Sequence, residues 1–441
     1  MQDADRLREV AKDCVHCGFC LPACPTYQLW GEEMDSPRGR IHLVSQVLDG
    51  AGLTPAAARH FDRCLGCMAC MTACPSGVQY DQLIEAARVW TEEARPAPPA
   101  AADLRDRGVR AAIFALFPYP RRLRAVTRPL RAAQRTGLDR RLARSSLPGR
   151  LCPALGAALR LGASGAGGLT PATSAAGRLP ERVAARGPRR AVVGMLTGCV
   201  QSVFFPQVNA ATARVLALEG CDVIIPRGQG CCGALSLHSG REGEAAAFAR
   251  HTIEAFEQAG VDAVVVNSAG CGSATKEYER LLSGDPAWSG RAAAMSAHVR
   301  DLSEFLADLG PAAPRHPLPV TAAYHDACHL GHAQRITRQP RELLRAIPEL
   351  TLVELPDAGT CCGSAGVYNL LQPEAAGELG ARKAQAVLDA GAPLLISANP
   401  GCSLQIAAAL ADRGEHVTLA HIAEILDASL RRLPLARAGA G

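Results

Sequence analysis

Two stretches in the C-terminal half of the chain alternate continuous apolar runs with amphipathic segments. The first contains the runs AVVGML (191–196), DVIIP (222–226) and DAVVVN (262–267), with helical patterns at 206–220 and 241–259. The second contains LPVTAAY (318–324), TLVELP (351–356) and PLLISAN (393–399), again with helical patterns between them. Unbroken apolar runs are typical of strands buried on both faces. Strand–helix–strand order at this spacing predicts parallel sheets with right-handed crossovers.

The N-terminal half shows helical patterns, in which apolar residues recur three or four positions apart. Helices are predicted for SPRGRIHLVSQVLDG (36–50) and for 55–63. After the Pro-rich linker ARPAPPAA (94–101), two more helices are predicted from their apolar faces: 104–117, with Val109, Ile113, Leu116 and Phe117, and 123–133, with Leu123, Val126 and Leu130. The Gly/Ala-rich stretch 151–177 is predicted to be a flexible loop.

These patterns divide the chain into four regions: 1–95, 96–189, 190–317 and 318–441. We predict a multidomain α + α/β fold. An α-helical N-terminal domain is followed by a linker with amphipathic helices and then by two duplicated α/β domains with parallel sheets.

Cysteine is the residue type whose number changes this picture. The 441 residues include 18 Cys, about 4%, which is below the ~8–10% of small disulfide scaffolds. The opening MQDADRLREVAKDC does not resemble a secretory signal, and the longest uncharged run, between Arg190 and Arg214, contains polar residues unlike a membrane span. We therefore expect a cytoplasmic protein, soluble or peripheral on a membrane, whose clustered thiols serve metal or redox chemistry.

Eight of the cysteines fall in two runs with the pattern C-x2-C-x2-C-x3-C-P: Cys14, Cys17, Cys20 and Cys24, then Cys64, Cys67, Cys70 and Cys74. In bacterial two-cluster ferredoxins such a run holds three corners of a [4Fe–4S] cluster, and its fourth Cys binds the other cluster. The pattern thus predicts two clusters: one on Cys14, Cys17, Cys20 and Cys74, the other on Cys64, Cys67, Cys70 and Cys24. Zinc is the alternative, although zinc sites use C-x2-C pairs set farther apart.

Eight further cysteines belong to an internal duplication. The two copies carry Cys199, Cys231, Cys232 and Cys271, and Cys328, Cys361, Cys362 and Cys402. Equivalent cysteines lie 129, 130 or 131 positions apart, and each copy has a Cys-Cys-Gly triplet. Each of these elements follows a predicted strand, and parallel strands end at one shared edge of a sheet. We therefore expect each set of four to converge, where four thiolates can hold a further iron–sulfur cluster or zinc. A thiol-rich edge that shapes a subunit interface is the alternative.

Histidines lie close to these cysteines and leave three interpretations open. His325, His329 and His332 flank Cys328, and His238 follows the Cys-Cys-Gly triplet of the first copy. Each is a candidate metal ligand, a candidate proton relay, or an ordinary polar residue. Two remaining cysteines match neither pattern and are predicted to be incidental: Cys221, in the core, and Cys152, in the flexible stretch.

Several stretches resemble known families. The repeats resemble the CCG (cysteine-rich) domains of heterodisulfide reductase subunits, anaerobic glycerol-3-phosphate dehydrogenase and lactate-utilisation proteins. The N-terminal domain resembles the helical ferredoxin domain of respiratory iron–sulfur subunits. The following segments closely resemble iron–sulfur subunits of glycolate oxidase: SPRGRIHL, GCVQSVFFPQVNAATARVLALEG, GQGCCGALSLHSG, YHDACHLGHAQRITRQPRELL, TCCGSAGVYNLLQPE and SANPGCSLQI. The resemblance covers nearly the whole chain apart from 96–189.

The resemblance implies an electron-transfer subunit. Its FAD-containing partner subunits would oxidise glycolate, or a related D-2-hydroxy acid, and this chain would pass the electrons towards a membrane quinone pool. The chain has no G-x-G-x-x-G fingerprint after a strand, so we expect no substrate oxidation by this chain alone. The wider CCG pattern has five Cys per repeat. Here Ser268 and Asn399 replace one in each copy, which puts the non-cubane clusters of heterodisulfide reductase in doubt.

Three alternatives remain open from the residues. The first is the equivalent subunit of a lactate or anaerobic glycerol-3-phosphate dehydrogenase. The second is a zinc-stabilised scaffold without redox activity, and the third is a thiol–disulfide enzyme that uses the Cys-Cys-Gly edges.

Charge is distributed unevenly along the chain. Residues 103–150 contain thirteen Arg against Asp103, Asp106 and Asp139, a local charge of +10, so that the overall +5 leaves −5 for the rest. This stretch is predicted to contact an acidic partner subunit or an anionic membrane surface on the quinone side, or to be a solvated helical pair. Nucleic-acid binding is not expected, because aromatic residues are scarce there and no recognition fold is evident.

Overall fold

The fold is that of a computed structural model, which describes residues 4–95, 101–136, 149, 152–163 and 179–435; residues 101–106 and 130–135 are described by their backbone alone. It confirms the predicted multidomain α + α/β architecture, with a helical N-terminal domain before two mainly parallel sheets. None of the described helices is long and apolar enough to span a bilayer.

The N-terminal domain contains six α-helices: α1 Ala4–Lys12, α2 Pro25–Trp30, α3 Pro37–Gln46, α4 Pro55–Asp62, α5 Ala69–Ala73 and α6 Tyr80–Glu93. A short 3-10 helix, Glu33–Asp35, and a π-helical turn, Val47–Ala51, flank α3. The predicted helices α3 and α4 begin in the same way. The hydroxyls of Ser36 and Thr54 each accept a hydrogen bond from a backbone N–H in the first turn, and a proline follows each cap. Phe61 and Leu83 are fully buried where α4, α6 and the cysteine loops meet.

The linker region contains three described helices: α7 Ala101–Leu116, α8 Pro120–Thr136 and α9 Pro153–Ala163. The first two were predicted, although the side chain of Leu130 lies outside the described part. The prediction of a flexible loop at 151–177 is wrong for 153–163. Ala157 of α9 packs against Ile113, Phe114 and Leu370, and this tertiary packing stabilises a helix whose small side chains show little amphipathic pattern. Residues 164–177 of the predicted loop lie outside the described residues.

The first repeat forms a sheet with strand order β1-β3-β2-β4-β5. Its strands are β1 Arg182–Val183, β2 Ala191–Leu196, β3 Cys221–Ile224, β4 Ala263–Val266 and β5 Val299–Asp301. β2, β3 and β4 match the three predicted apolar runs, and β2 to β5 are parallel. β1 runs antiparallel to β3, so residues that precede 190 in sequence belong to this sheet. The short strands β1 and β5 were not predicted.

The second repeat forms a fully parallel sheet in the order β7-β6-β8-β9. Its strands are β6 Val320–His325, β7 Leu350–Glu354, β8 Leu394–Ser397 and β9 Thr418–His421. The first three match the predicted runs, and β9 was not predicted. In both sheets the cysteines follow the carboxyl ends of the strands, as the βαβ topology requires.

Helices cover both sheets. Those of the first repeat are α10 Val200–Phe204, α11 Pro206–Leu218, α12 Ala234–Leu237, α13 Glu242–Glu257, α14 Ala269–Lys276, α15 Tyr278–Leu281, α16 Ser289–His298 and α17 Leu302–Leu309. Those of the second are α18 Arg338–Arg345, α19 Tyr368–Leu371, α20 Pro373–Asp389, α21 Pro400–Asp412 and α22 Ile422–Arg431.

The two repeats meet along their cysteine-bearing edges. The backbone N–H of Ala269 donates to the carbonyl of Ala398 at 3.1 Å, and the side chain of Asn399 accepts from Gly270 at 3.3 Å. Farther out, α11 packs on α22 and Arg214 pairs with Asp427 at 2.6 Å. The four cysteines of one repeat therefore face those of the other.

The N-terminal domain packs tightly against the first repeat. Gly240 has a φ of 77° and lies so close to α6 that a Cβ atom there would be 2.2 Å from the carbonyl oxygen of Arg88. Beside it, Arg280 of α15 bonds Glu85 of α6 at 2.7 Å. Only a residue without a side chain fits this backbone contact.

Candidate functional site

The first cysteine loop surrounds a small cavity. Cys14, Cys17 and Cys20 line about 30 Å³ together with Cys74, and Cys70 also reaches its wall. The loop takes left-handed conformations at His16, with a φ of 53°, and at Gly18, with a φ of 88°. The structure thus places the fourth cysteine of the second run beside the first three of the first run, as the ferredoxin pattern predicts.

The second cysteine loop repeats this backbone. Gly66 and Met68, at the positions equivalent to His16 and Gly18, have φ of 65° and 61°. Cys64, Cys67 and Cys70 are buried, and so is Cys24. Burial raises the pKa of Cys70 well above its usual value, and the neighbouring thiols Cys67, Cys64 and Cys24 raise it further. The four thiols therefore form a second group.

Buried cations stand beside the second group. Arg40 is 1% exposed, and its guanidinium donates to the carbonyl of His60 at 2.7 Å and contacts the carboxylate of Asp35 at 3.2 Å. Burial by itself would raise the pKa of Cys64, but Arg40 and then Arg88 outweigh it, so that the pKa of this thiol is lowered. The site is therefore suited to hold thiolate charge in a buried place.

In each repeat the four cysteines come together. The Sγ atoms of Cys199 and Cys231 lie 3.6 Å apart. Contacts continue from Cys231 to Cys232 and from there to Cys271. The second repeat has the same row through Cys328, Cys361, Cys362 and Cys402. The hydrogen bond with Cys199 and burial raise the pKa of Cys231 well above its usual value, so the Cys231 thiol holds its proton unless a bound metal ion displaces it.

All eight repeat cysteines line one cavity of about 590 Å³. Its opposite wall is apolar and comes from the linker helices, through Val109, Ile113, Leu116, Leu123, Val126 and Leu155. The apolar faces predicted for α7 and α8 therefore turn towards this cavity. Arg121, Arg122, Arg124 and Arg128 of α8 are exposed.

The N-terminal domain reaches the cavity through its second cysteine loop. Cys67 packs in one apolar cluster with Cys361 and Cys328. Burial and then the charge of Cys328 raise the pKa of Cys67. The Nε2 of His329 lies 2.9 Å from the carbonyl oxygen of Gly66, in the same loop. The cysteines of the ferredoxin-type domain and of the second repeat are thus neighbours.

The histidines near the cysteines separate into different roles. His238 and His329 meet edge to face with ring centres 4.8 Å apart, and both line the cavity. Burial lowers the pKa of both rings. His332 is bonded to the hydroxyl of Thr72 and to the carbonyl of Gly359, which fits an ordinary polar residue. His325 is buried beside two repeat cysteines.

Two features of the site were not predicted from the sequence. Cys152, predicted to be incidental, lines the cavity at the start of α9, and no spacing in the sequence points to it. Glu85 of α6 is 4% exposed, 3.8 Å from His238, and its pKa is raised well above the usual value by burial and then by Glu277. Cys221 lies in the core as predicted, where burial raises its pKa to about 11.

Comparison with protein families finds matches in four separate parts of the chain. Residues 10–78 match a 4Fe-4S dicluster domain, and 193–276 and 322–407 each match the cysteine-rich (CCG) domain. Residues 105–161 match the linker region of the glycolate oxidase iron-sulfur subunit. The linker helices are therefore a recognised element of one protein family.

Relatives cover almost the whole chain. It is 37% identical over 424 residues to a "Probable glycolate oxidase iron-sulfur subunit" of Bacillus subtilis (strain 168), which covers 94% of this chain and 93% of the relative. It is 35% identical over 433 residues to the "Glycolate oxidase iron-sulfur subunit" of Escherichia coli (strain K12), covering 96% and 95%. "Lactate utilization protein A" of Exiguobacterium sp. is 32% identical over 241 residues, 54% of this chain and 98% of that protein.

A solved structure shares the fold. The crystal structure of a hypothetical protein from Helicobacter pylori superimposes with a TM-score of 0.54, covering 98% of this chain and 77% of that one. At 9% sequence identity, this likeness concerns the fold alone.

Proposed function

Because the chain belongs to the family of glycolate oxidase iron–sulfur subunits, we propose that it carries electrons from an FAD-containing subunit, which oxidises glycolate to glyoxylate, towards the respiratory quinone pool. As a member of this family the chain is an iron–sulfur subunit of an oxidoreductase complex. We propose that the chain does not itself bind or oxidise the hydroxy acid, and that the complex works at the cytoplasmic face of the inner membrane.

The eight cysteines of the N-terminal domain are suited to two [4Fe–4S] clusters. One set would be Cys14, Cys17, Cys20 and Cys74, and the other Cys64, Cys67, Cys70 and Cys24. When bound, the clusters supply one-electron chemistry between a two-electron flavin and a later acceptor. The donor set fits this group, because all eight cysteines are free thiols and Arg40 and Arg88 offer positive charge beside the buried set.

A continuous series of thiols supports this proposal more than any other observation. Cys17 is exposed at the surface, Cys70 reaches the wall of the first group's cavity, and Cys67 packs against Cys361 and Cys328. The series leads from the surface of the N-terminal domain to the cavity that the cysteines of both repeats line. Apolar residues of the linker helices line the other side of this cavity.

We also propose that the repeat cysteines bind a further metal group, an iron–sulfur cluster or zinc. The four thiols that lie in contact in each repeat support it, since four convergent thiolates are a donor set for zinc and for iron–sulfur clusters. The exposed arginines of α8 are proposed to contact an acidic surface of a partner subunit or anionic headgroups near the quinone.

A second candidate is the same role beside another flavoprotein. The match to lactate utilization protein A, at 32% identity over 98% of that protein, favours a related 2-hydroxy acid such as lactate over unrelated substrates. The two candidates differ in the partner subunit and not in the chemistry of this chain.

The test is anaerobic purification of the complex through a tag on this chain, followed by addition of one substrate at a time. We expect a co-purified flavoprotein, about eight iron per chain from the N-terminal clusters alone, and bleaching of the cluster absorption by glycolate. Lactate as the faster reductant would favour the second candidate. The isolated chain should be reduced by dithionite but not by glycolate.

A matched pair of variants locates the clusters. Cys17→Ala should lose about four iron per chain, while Cys221→Ala, in a core position outside both motifs, should retain the wild-type iron. A colourless protein with stoichiometric zinc and no iron would contradict the electron-transfer function.

A further inference from the structure

A buried imidazole in the second repeat faces two cysteines. His325 ends β6 and is 1% exposed, while Cys362 and Cys402 are 1% and 3% exposed. The possible ligand atoms of these three residues all lie within 4.8 Å of one another. Neither ring nitrogen of His325 has a hydrogen-bond partner among the described residues. Leaving a buried polar group unpaired is destabilising, so such a group in a native fold calls for an explanation.

The first repeat provides an internal comparison. Leu196 occupies the position of His325, three residues before the first cysteine of its repeat. In the sheets, His325 pairs with Ser397, whereas Leu196 pairs with Val266. The hydroxyl of Ser397 is also buried without a partner among the described residues. A polar pair in one repeat thus replaces an apolar pair in the other, at the same point beside the cysteines.

The donor set selects one class of ion. Imidazole nitrogen and thiolate sulfur together suit zinc and similar transition-metal ions, whereas magnesium and calcium require oxygen ligands. A neutral imidazole has one ring nitrogen with a lone pair to donate to a metal ion. The amide of Asn399 donates to the sulfur of Cys402 at 3.4 Å, which is the kind of contact that orients a ligating thiolate.

We propose that His325, Cys362 and Cys402 bind a zinc ion in the second repeat, at a position where the first repeat has no nitrogen donor. This inference rests on one part of the proposed function, the binding of a metal group by the repeat cysteines, and names that metal for the second repeat. Zinc has no redox chemistry of its own, so the two repeats would differ in role although they share a fold.

The test measures metals in the full chain, purified anaerobically with its flavoprotein partner and washed with a chelator. We expect about one zinc per chain in the wild type. X-ray absorption at the zinc edge should show both nitrogen at about 2.0–2.1 Å and sulfur at about 2.3 Å. In His325→Leu the zinc retained after the wash should fall at least about tenfold, in line with the loss of one ligand. Iron and acid-labile sulfide should not change.

The double variant His325→Leu/Ser397→Val copies the apolar pair of the first repeat, so it preserves packing if the single variant folds poorly. Zinc that persists in both variants, a wild type without zinc, a shell of sulfur alone, or loss of iron in step with zinc would each overturn the proposal. Failure of the proposed function would appear separately, as the absence of iron that glycolate reduces.

Discussion

The two cysteine loops of the N-terminal domain have the same spacing and the same backbone, yet they face different surroundings. Val15 and Phe19 of the first loop are 68% and 66% exposed. Leu65 and Ala69, at the equivalent positions of the second loop, are 6% and 5% exposed and pack against the second repeat. The second loop uses these two positions to pack within the chain, whereas the first loop leaves them exposed. We predict that the proposed flavoprotein subunit covers the first loop.

The largest difference in stability between equivalent changes at the two loops is expected for the arginines beside them. Arg40→Leu removes a buried cation and leaves Asp35 without it, so we expect a loss of about 3–5 kcal/mol in the free energy of unfolding. Arg38, beside the first loop, bonds the carbonyl of His16 and pairs with the half-exposed Glu33. Arg38→Leu should lose less than about 1 kcal/mol.

The measurement is denaturant unfolding followed by tryptophan fluorescence in a Trp288→Phe background, where the remaining Trp30 and Trp90 both report on the N-terminal domain. Arg40→Lys serves as the control that keeps the charge and loses the guanidinium geometry. Equal effects of Arg38→Leu and Arg40→Leu would contradict the difference between the two loops.

The next contrast concerns the apolar docking positions. Leu65→Ala opens a cavity at the junction with the second repeat and should destabilise the chain by about 2–4 kcal/mol. Val15→Ala, at the equivalent exposed position, should change stability by no more than about 0.5 kcal/mol. The same unfolding measurement on the isolated chain compares the two. A large effect of Val15→Ala would mean that the first loop is covered within this chain.

A smaller contrast is expected at the loop glycines. A Cβ atom on Gly66 would lie 2.9 Å from the buried guanidinium of Arg88, which donates to the carbonyl of Cys64. A Cβ atom on Gly18 would lie 3.1 Å from Arg38, whose side chain has room to move. Both substitutions place alanine in a left-handed conformation, which costs about 1–2 kcal/mol. The loss in the free energy of unfolding should therefore be roughly 1 kcal/mol larger for Gly66→Ala than for Gly18→Ala. Equal losses would mean that the side chain of Arg88 can move away from the added methyl group.

The smallest change in stability, and the clearest change in binding, is expected for Val15→Ser/Phe19→Ser. Stability should stay within about 0.5 kcal/mol of the wild type. The Kd for the flavoprotein subunit should rise about tenfold, since aromatic and aliphatic anchors dominate such interfaces. Titration calorimetry with the purified flavoprotein gives the Kd, and denaturant unfolding of the isolated chain gives the stability. An unchanged Kd would place the partner on another surface, such as the exposed arginines of α8.

Local patterns were sufficient to predict much of this molecule. The cysteine spacing is local, so the two sets of four cysteines in the N-terminal domain could be predicted from the sequence. The apolar runs predicted six of the nine strands of the described residues. Short edge strands such as Arg182–Val183 have no such run. Helix α9 was missed because alanine and glycine carry little pattern, and its stability comes from packing against Ile113 and Leu370.

The features that could not be predicted from the sequence depend on contacts between distant segments. Val15 and Leu65 are both apolar, and only the packed structure separates an exposed position from a docked one. Arg38 and Arg40 stand two residues apart on one helix, and the sequence does not show which of them is buried. His325 resembles His329 and His332 in sequence, but it alone of the three meets Cys362 and Cys402.

The backbone contact at Gly240 bears on how fast electrons pass through the chain. In many enzymes a movement of a loop or domain, and not the chemical step, limits turnover. Here a Cβ-free residue seats the first repeat directly on the carbonyl of Arg88, so the N-terminal domain has no room to rotate against it. Transfer between the domains should therefore depend on fixed separations and stay insensitive to solvent viscosity.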